Sequence, residues 1–300
     1  MMTRHFLSLM DCTQRELRML VERAITLKAI LRRREPHEYL RGSSLALIFE
    51  KSSTRTRVSF EAGITQFGGN SMFLAPAELQ LGRGEPLEDT ARVISRMVDA
   101  IVIRTHEHAK LVAFAAHSRV PVINALTDRF HPCQLLADIQ TYFEHRGDIA
   151  GRTVAWIGDG NNVCQSWINA ARQFGFTLRI ATPAGYRPDA AILGDAAGSA
   201  HLVETPEEAA RGADLVVTDT WASMGQESEK EVRARAFQGY CVTTHLMDMA
   251  AADAIFMHCL PAYRGVEVTG EVIDGPRSVV WDEAENRLHA QKALLEFLLA

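Results

Sequence analysis

The sequence predicts an α/β protein of two doubly wound domains, each with a parallel β-sheet flanked by helices, joined by hinge helices. Three observations carry that expectation. Short β-branched runs alternate with amphipathic segments of helical period almost throughout. The runs fall into two groups, divided around residues 143–152. The unusual polar residues gather where the runs stop, which in open parallel sheets is where ligands bind.

The first element is a helix. Thr13 and Glu16 have the spacing of a capping box, and Leu17, Leu20, Val21, Ala24 and Leu31 follow at helical intervals. Strands are expected at SLALIFE (44–50), DAIVIRT (99–105) and VPVINALT (120–127). A second set is expected at TVAWIGD (153–159), LRIATP (178–183), DLVVTD (214–219), AIFMHCLP (254–261) and SVVWDE (278–283). Helices are expected over 54–67, 87–97, 162–174 and 285–299, with 132–147 ending at Gly147 as a connecting helix. The resulting domains are 1–145 and 146–284, with the helix 285–300 packing back on the first.

Composition narrows the function. A 300-residue chain with 47% hydrophobic and 23% charged residues is globular, and its net charge of −5 gives no basic footprint for nucleic acid. No apolar run is long enough to span a bilayer. The N-terminus, broken by Asp11, does not read as a signal peptide, so a cytoplasmic enzyme is expected. The cysteines (Cys12, Cys133, Cys164, Cys241, Cys259) are odd in number and scattered, which fits reduced thiols better than disulfides or structural zinc. His106 and His108 lack a further ligand cluster, and no metal or organic cofactor is expected.

Chemistry concentrates in four stretches. SSTRTR (52–57) opens a helix directly after a strand. Free backbone N–H groups, the helix dipole, the hydroxyls of Ser53, Thr54 and Thr56, and the fork of Arg55 suit a phosphate or carboxylate. Arg104 ends one strand, and His131 and Gln134 in FHPCQ (130–134) follow another, so all three are expected to converge on that anion. WIGDGNNV (156–163) resembles a dinucleotide turn, but Val163 occupies the third glycine position and the next strand ends in Thr182-Pro183, without an acidic ribose ligand. A turn presenting Asn161 or Asn162 to a small polar ligand fits better. DTWASMGQE (219–227) offers Asp219 to an ammonium group, with Ser223 and Met224 beside it. MHCLPAYRG (257–265) places Cys259 at a further strand end.

Together, SSTRTR, FHPCQ, DTWASMGQE and HCLPAYRG resemble the aspartate/ornithine carbamoyltransferase family, and the last two are similar to its ornithine-using members. The resemblance runs from FLSLMD through LQLGRGEPLEDTARV (79–93) to the last helix. It implies transfer of a carbamoyl group from carbamoyl phosphate to L-ornithine, giving L-citrulline and phosphate in arginine metabolism. It further implies that Ser53, Thr54, Arg55 and Thr56 hold the phosphate, while Arg104, His131 and Gln134 hold the carbonyl and amide end. Gln80 is similar to the family residue that reaches into a neighbouring subunit, which implies a homotrimer with shared sites. Asn162, Asp219, Ser223 and Met224 would bind ornithine; Cys259, Leu260 and Arg287 would complete the pocket. Of these, Cys259, Arg55, Arg104 and His131 are the expected catalytic groups. Putrescine, N-acetylornithine and aspartate are the rival amines. Asp219, in place of extra cations, argues against aspartate, and the other two lack groups that the loop is suited to meet.

Overall fold

A computed structural model describes residues 3–75, 84–221 and 230–300. The chain divides into two compact units, one of residues 1–140 with 285–300 and one of 141–284.

In the first unit, α1 (Gln14–Arg32) precedes β1 (Ser44–Phe49), α2 (Thr54–Gln66) and β2 (Asn70–Leu74). Then come α3 (Leu87–Ile94), β3 (Ala100–Arg104), α4 (His108–His117) and β4 (Val122–Leu126), followed by α5 (Pro132–Arg146), which runs on into the second unit. The expected capping box of α1 is present, with Thr13 and Glu16 satisfying each other's backbone N–H groups. The sheet order is β2-β1-β3-β4, all parallel. The chain moves outward from β1 to β2, then returns to the other side of β1 for β3. That reversal opens a crevice beyond the carboxyl ends of β1 and β3, the position where open α/β sheets bind ligands.

The second unit repeats the logic. Its elements are β5 (Thr153–Ile157), α6 (Asn162–Phe174), β6 (Thr177–Ala181), α7 (Ala190–Asp195), β7 (Ala200–Val203), α8 (Pro206–Ala210) and β8 (Leu215–Thr218). They continue with α9 (Lys230–Ala236), α10 (Thr244–Met249), β9 (Ile255–His258), α11 (Gly270–Ile273) and α12 (Val280–Leu299), which ends in the first unit. The parallel order β7-β6-β5-β8-β9 reverses between β5 and β8. The strands β5 and β8 are buried almost throughout, the continuous apolar pattern of a sheet covered on both faces.

One expected strand is a helix. In SVVWDE, only Ser278 pairs, through an isolated bridge to Phe256, and α12 starts at Val280. Two valines are too short a run to extend the sheet. Asp282 and Glu283 occupy the first helical turn, where carboxylates favour the dipole. Glu283 also accepts the His258 N–H at 2.9 Å, fixing the helix start to the end of β9. The strands β2 and β7 escaped the sequence reading. β2 is an edge strand with no fully buried residue, and β7 has one.

The turn after β5 depends on close backbone approach. Gly160 donates its N–H to the Tyr186 carbonyl at 2.8 Å. A Cβ at Gly160 would stand 2.3 Å from the Pro188 nitrogen and 2.6 Å from the Arg187 carbonyl carbon. Backbone atoms cannot swing aside as a side-chain tip would. Gly160→Ala is therefore expected to destabilise the protein by about 1–3 kcal/mol, the usual cost of overpacking. A urea titration by circular dichroism checks this; an unchanged midpoint would contradict it.

Candidate active site

The first unit carries a cationic cradle. Ser53 is the N-cap of α2, yet its side chain makes no capping hydrogen bond; the hydroxyl donates to Thr56 Oγ1 at 2.9 Å. The start of α2 therefore combines hydroxyls, the Arg55 side chain and the positive end of the helix dipole, the chemistry of an anion site. Thr56 is buried, Ser53 and Arg55 are half-buried, and Thr54 is exposed. Arg104 lies at the carboxyl tip of β3, paired in register with Phe49 of β1, so strand geometry alone brings it beside the chain entering α2.

Arg287 comes from far away in sequence. Its Nη1 donates to Gln134 Oε1 at 2.5 Å and its Nη2 to Thr56 Oγ1 at 3.2 Å. Gln134 in turn donates to Asp138 at 2.8 Å, one helical turn along α5. His131, just before α5, is buried, and its pKa is driven well below the ordinary histidine value. Burial is the main cause, followed by the positive charges of Arg287, Arg104 and Arg55. One imidazole therefore feels all three guanidiniums and stays neutral among them.

The second unit carries a carboxylate centre. Asp219 follows β8 and accepts from the Thr220 N–H at 2.8 Å and from the Cys259 thiol at 3.2 Å through Oδ1. Its Oδ2 accepts from Asn161 Nδ2 at 2.8 Å. Asn161 is also the N-cap of α6, its oxygen taking the N–H groups of Val163 and Cys164 at 3.0 and 3.1 Å. The side chain of Asn161 thus orients Asp219, while Asn162, the first residue of α6, is only half-buried. An asparagine immediately before an apolar helix was the available sign of this cap.

Cys259 sits just beyond β9, beside β8 in the sheet. The next residue, Leu260, has φ 57° and donates its N–H to His258 Nδ1 at 2.9 Å. Left-handed backbone at a leucine costs about 1–3 kcal/mol and persists only where surroundings dictate it. Here the buried His258 ring is itself fixed by Glu267, at 3.2 Å from Nε2. Asp219, His258 and Cys259 offer potential metal-ligand atoms within 4.8 Å of one another. Both His258 nitrogens, however, are engaged in the loop's own hydrogen bonds.

Sequence reasoning also missed Arg233. This buried guanidinium on α9 donates to Asp159 at 2.7 Å and to the Trp221 carbonyl at 2.9 Å. It joins the turn after β5 to the chain after β8, the two stretches that carry Asn161 and Asp219. Gln80, Ser223 and Met224 lie outside the described residues.

Comparison with known proteins matches each of the two units to a described domain. Residues 4–144 match the carbamoyl-P binding domain of aspartate/ornithine carbamoyltransferases, and residues 150–298 match the Asp/Orn binding domain. The chain belongs to the aspartate/ornithine carbamoyltransferase family. Within it, the chain is 66% identical over 295 residues to the ornithine carbamoyltransferase of Nitrosococcus oceani, covering 98% of this chain and 97% of the relative. It is 64% identical over 299 residues to that of Methylococcus capsulatus, covering 100% and 99%. Among solved structures, the ornithine carbamoyltransferase of Burkholderia thailandensis superposes with a TM-score of 0.92 at 54% identity, over 99% of this chain and 98% of that one. That of Pyrococcus furiosus gives 0.94 at 47% identity, over 99% and 97%.

The neutral state of His131 has a measurable consequence. Its folded-state pKa lies below the value of about 6.5 expected when unfolded, so as pH falls through that value the unfolded chain takes up the proton first. Stability linked to this group is complete above about pH 6.5 and is lost as pH falls toward the folded pKa. His131→Gln is expected to flatten the decline of unfolding free energy between about pH 6.5 and 5. Equal slopes for variant and wild type in urea titrations would contradict this.

Proposed function

We infer that this chain transfers the carbamoyl group of carbamoyl phosphate to the side-chain amine of L-ornithine, giving L-citrulline and phosphate. The observation that carries the reading is full-length similarity to ornithine carbamoyltransferases, reaching 66% identity. The site chemistry agrees with it.

In this reading, residues 1–145 form the carbamoyl phosphate domain and 146–284 the ornithine domain, with 285–300 serving the first. Ser53, Thr54, Arg55 and Thr56 hold the phosphate at the start of α2, where the helix dipole favours an anion. Arg104, His131 and Gln134 hold the carbamoyl end, and Arg287 fixes Gln134 and Thr56 from behind. A neutral His131 can donate one N–H to the carbonyl oxygen without fixing a full charge on it. As the amine attacks the carbonyl carbon, negative charge grows on that oxygen, and His131 and Arg104 meet it. When the intermediate collapses, charge passes to the departing phosphate, where Arg55 stands. Each such preorganised donor is worth about 3–4 kcal/mol in the transition state.

Asn162, Asp219, Ser223 and Met224 receive ornithine, with Asp219 facing its ammonium. The attacking side-chain amine, with a pKa near ~10.4 like that of lysine, must arrive neutral. Cys259, whose thiol donates to Asp219, is the group suited to relay that proton, accepting it from the amine as its own passes to the Asp219 carboxylate, and Leu260 contributes to the same pocket. Gln80 extends into a neighbouring copy's site, making a homotrimer the working assembly of a cytoplasmic enzyme. Among the described residues, no helix is long and apolar enough to cross a membrane.

A citrulline assay with carbamoyl phosphate and ornithine, putrescine, N-acetylornithine or aspartate tests the reaction. Turnover with ornithine alone is expected; preference for another amine would overturn the substrate assignment. Arg55→Ala is expected to lower kcat by about 100-fold or more, since it removes a contact strengthened in the transition state. An intact kcat with a raised KM would make Arg55 a binding handle only.

A further inference from the structure

Gln291 is fully buried on α12, one helical turn beyond Arg287 and on the same face. Its amide is oriented by its neighbours. With the oxygen toward Arg287, it accepts from Nη2 at 3.0 Å and Nε at 3.3 Å, while its nitrogen donates to Ser59 Oγ at 2.5 Å. Ser59 donates to the carbonyls of Arg55 at 2.7 Å and Thr56 at 3.1 Å. The amide therefore holds one edge of the Arg287 guanidinium and ties it to the first turn of α2. Another edge is left to Gln134 and Thr56.

We propose that Gln291 is a positioning residue for the anion cradle, acting through Arg287. An arginine side chain carries about 2 kcal/mol of rotamer entropy, and an arginine placed before the ligand arrives need not lose it on binding. The choice of an amide matters. A carboxylate would grip Arg287 as firmly but would cancel the charge that an incoming phosphate must meet. A neutral acceptor fixes the geometry and leaves the charge available. The geometry involves α2 and α12 and makes no use of the ornithine groups, so its effect belongs to carbamoyl phosphate alone.

The inference rests on the carbamoyl phosphate reading above, and a double-mutant cycle separates the two. Gln291→Met keeps length and volume but removes both hydrogen-bonding groups. It is expected to raise KM for carbamoyl phosphate about tenfold, equivalent to about 1.4 kcal/mol, with KM for ornithine within about twofold. Introduced into Arg287→Gln, the same change is expected to add less than about twofold, because its target is already gone. If Gln291→Met costs the same factor in both backgrounds, or raises both KM values alike, Gln291 is a packing residue and the proposal fails. Wild-type protein that makes no citrulline would overturn the underlying reading, and the proposal with it. Circular dichroism establishes that each variant folds. Should Gln291→Met not fold, Gln291→Asn, which keeps the amide but withdraws it from Arg287, passes through the same cycle with the same criteria.

Discussion

The buried charge of Arg287 is the constraint on which the cationic cradle of the first unit depends. A guanidinium 2% exposed is tolerable only where its N–H groups are met by well-placed acceptors. Thr56 and Gln134 meet them, and both belong to the cradle. The requirement to satisfy one cation thus fixes the first turn of α2, the start of α5 and the register of α12 against both. It also charges the surroundings of His131, whose imidazole remains neutral because it is buried among three guanidiniums. The geometry and electrostatics of the cradle in this unit follow from one buried group.

The second unit solves a different problem. Asp219 is a buried carboxylate that must keep a defined direction. It does so by accepting from Asn161, Thr220 and Cys259, which come from three different stretches of chain. Each of those stretches is anchored in turn. Asn161 caps α6, Cys259 precedes a left-handed leucine held by the His258 ring, and Arg233 joins Asp159 to Trp221. Buried ion pairs such as Arg233–Asp159 add little net stability, but losing one partner strands the other charge. Their value here is directional.

Both units place these groups by the same rule. Parallel strands end together, and the reversal of connection order beyond β1 and β3, or β5 and β8, leaves a crevice that no crossover fills. Arg104 and the entry to α2 meet at one such crevice. The Asn161 turn and Asp219 meet at the other. The likeness between the halves is one of topology, and the chemistry differs because the residues at the tips differ.

The sequence by itself determined the class of fold, most strand positions and the helix starts at Thr13, Ser53 and Asn161, and it drew attention to Ser53, Thr56, Arg104, His131 and Gln134 by their residue types at strand ends and helix starts. These are encoded within a turn or two of chain, through period, capping chemistry and residue type. Tertiary structure decided the rest. Thr56 and Arg287 stand 231 residues apart, and Asp219 and Cys259 stand 40 apart; no local pattern pairs them. Arg233 and Gln291 read as ordinary helix residues until their partners are known. SVVWDE became a helix start because Glu283 met the backbone of His258. Propensity is local, whereas the state of a buried charge depends on every group folded against it, and that is settled only when the chain closes.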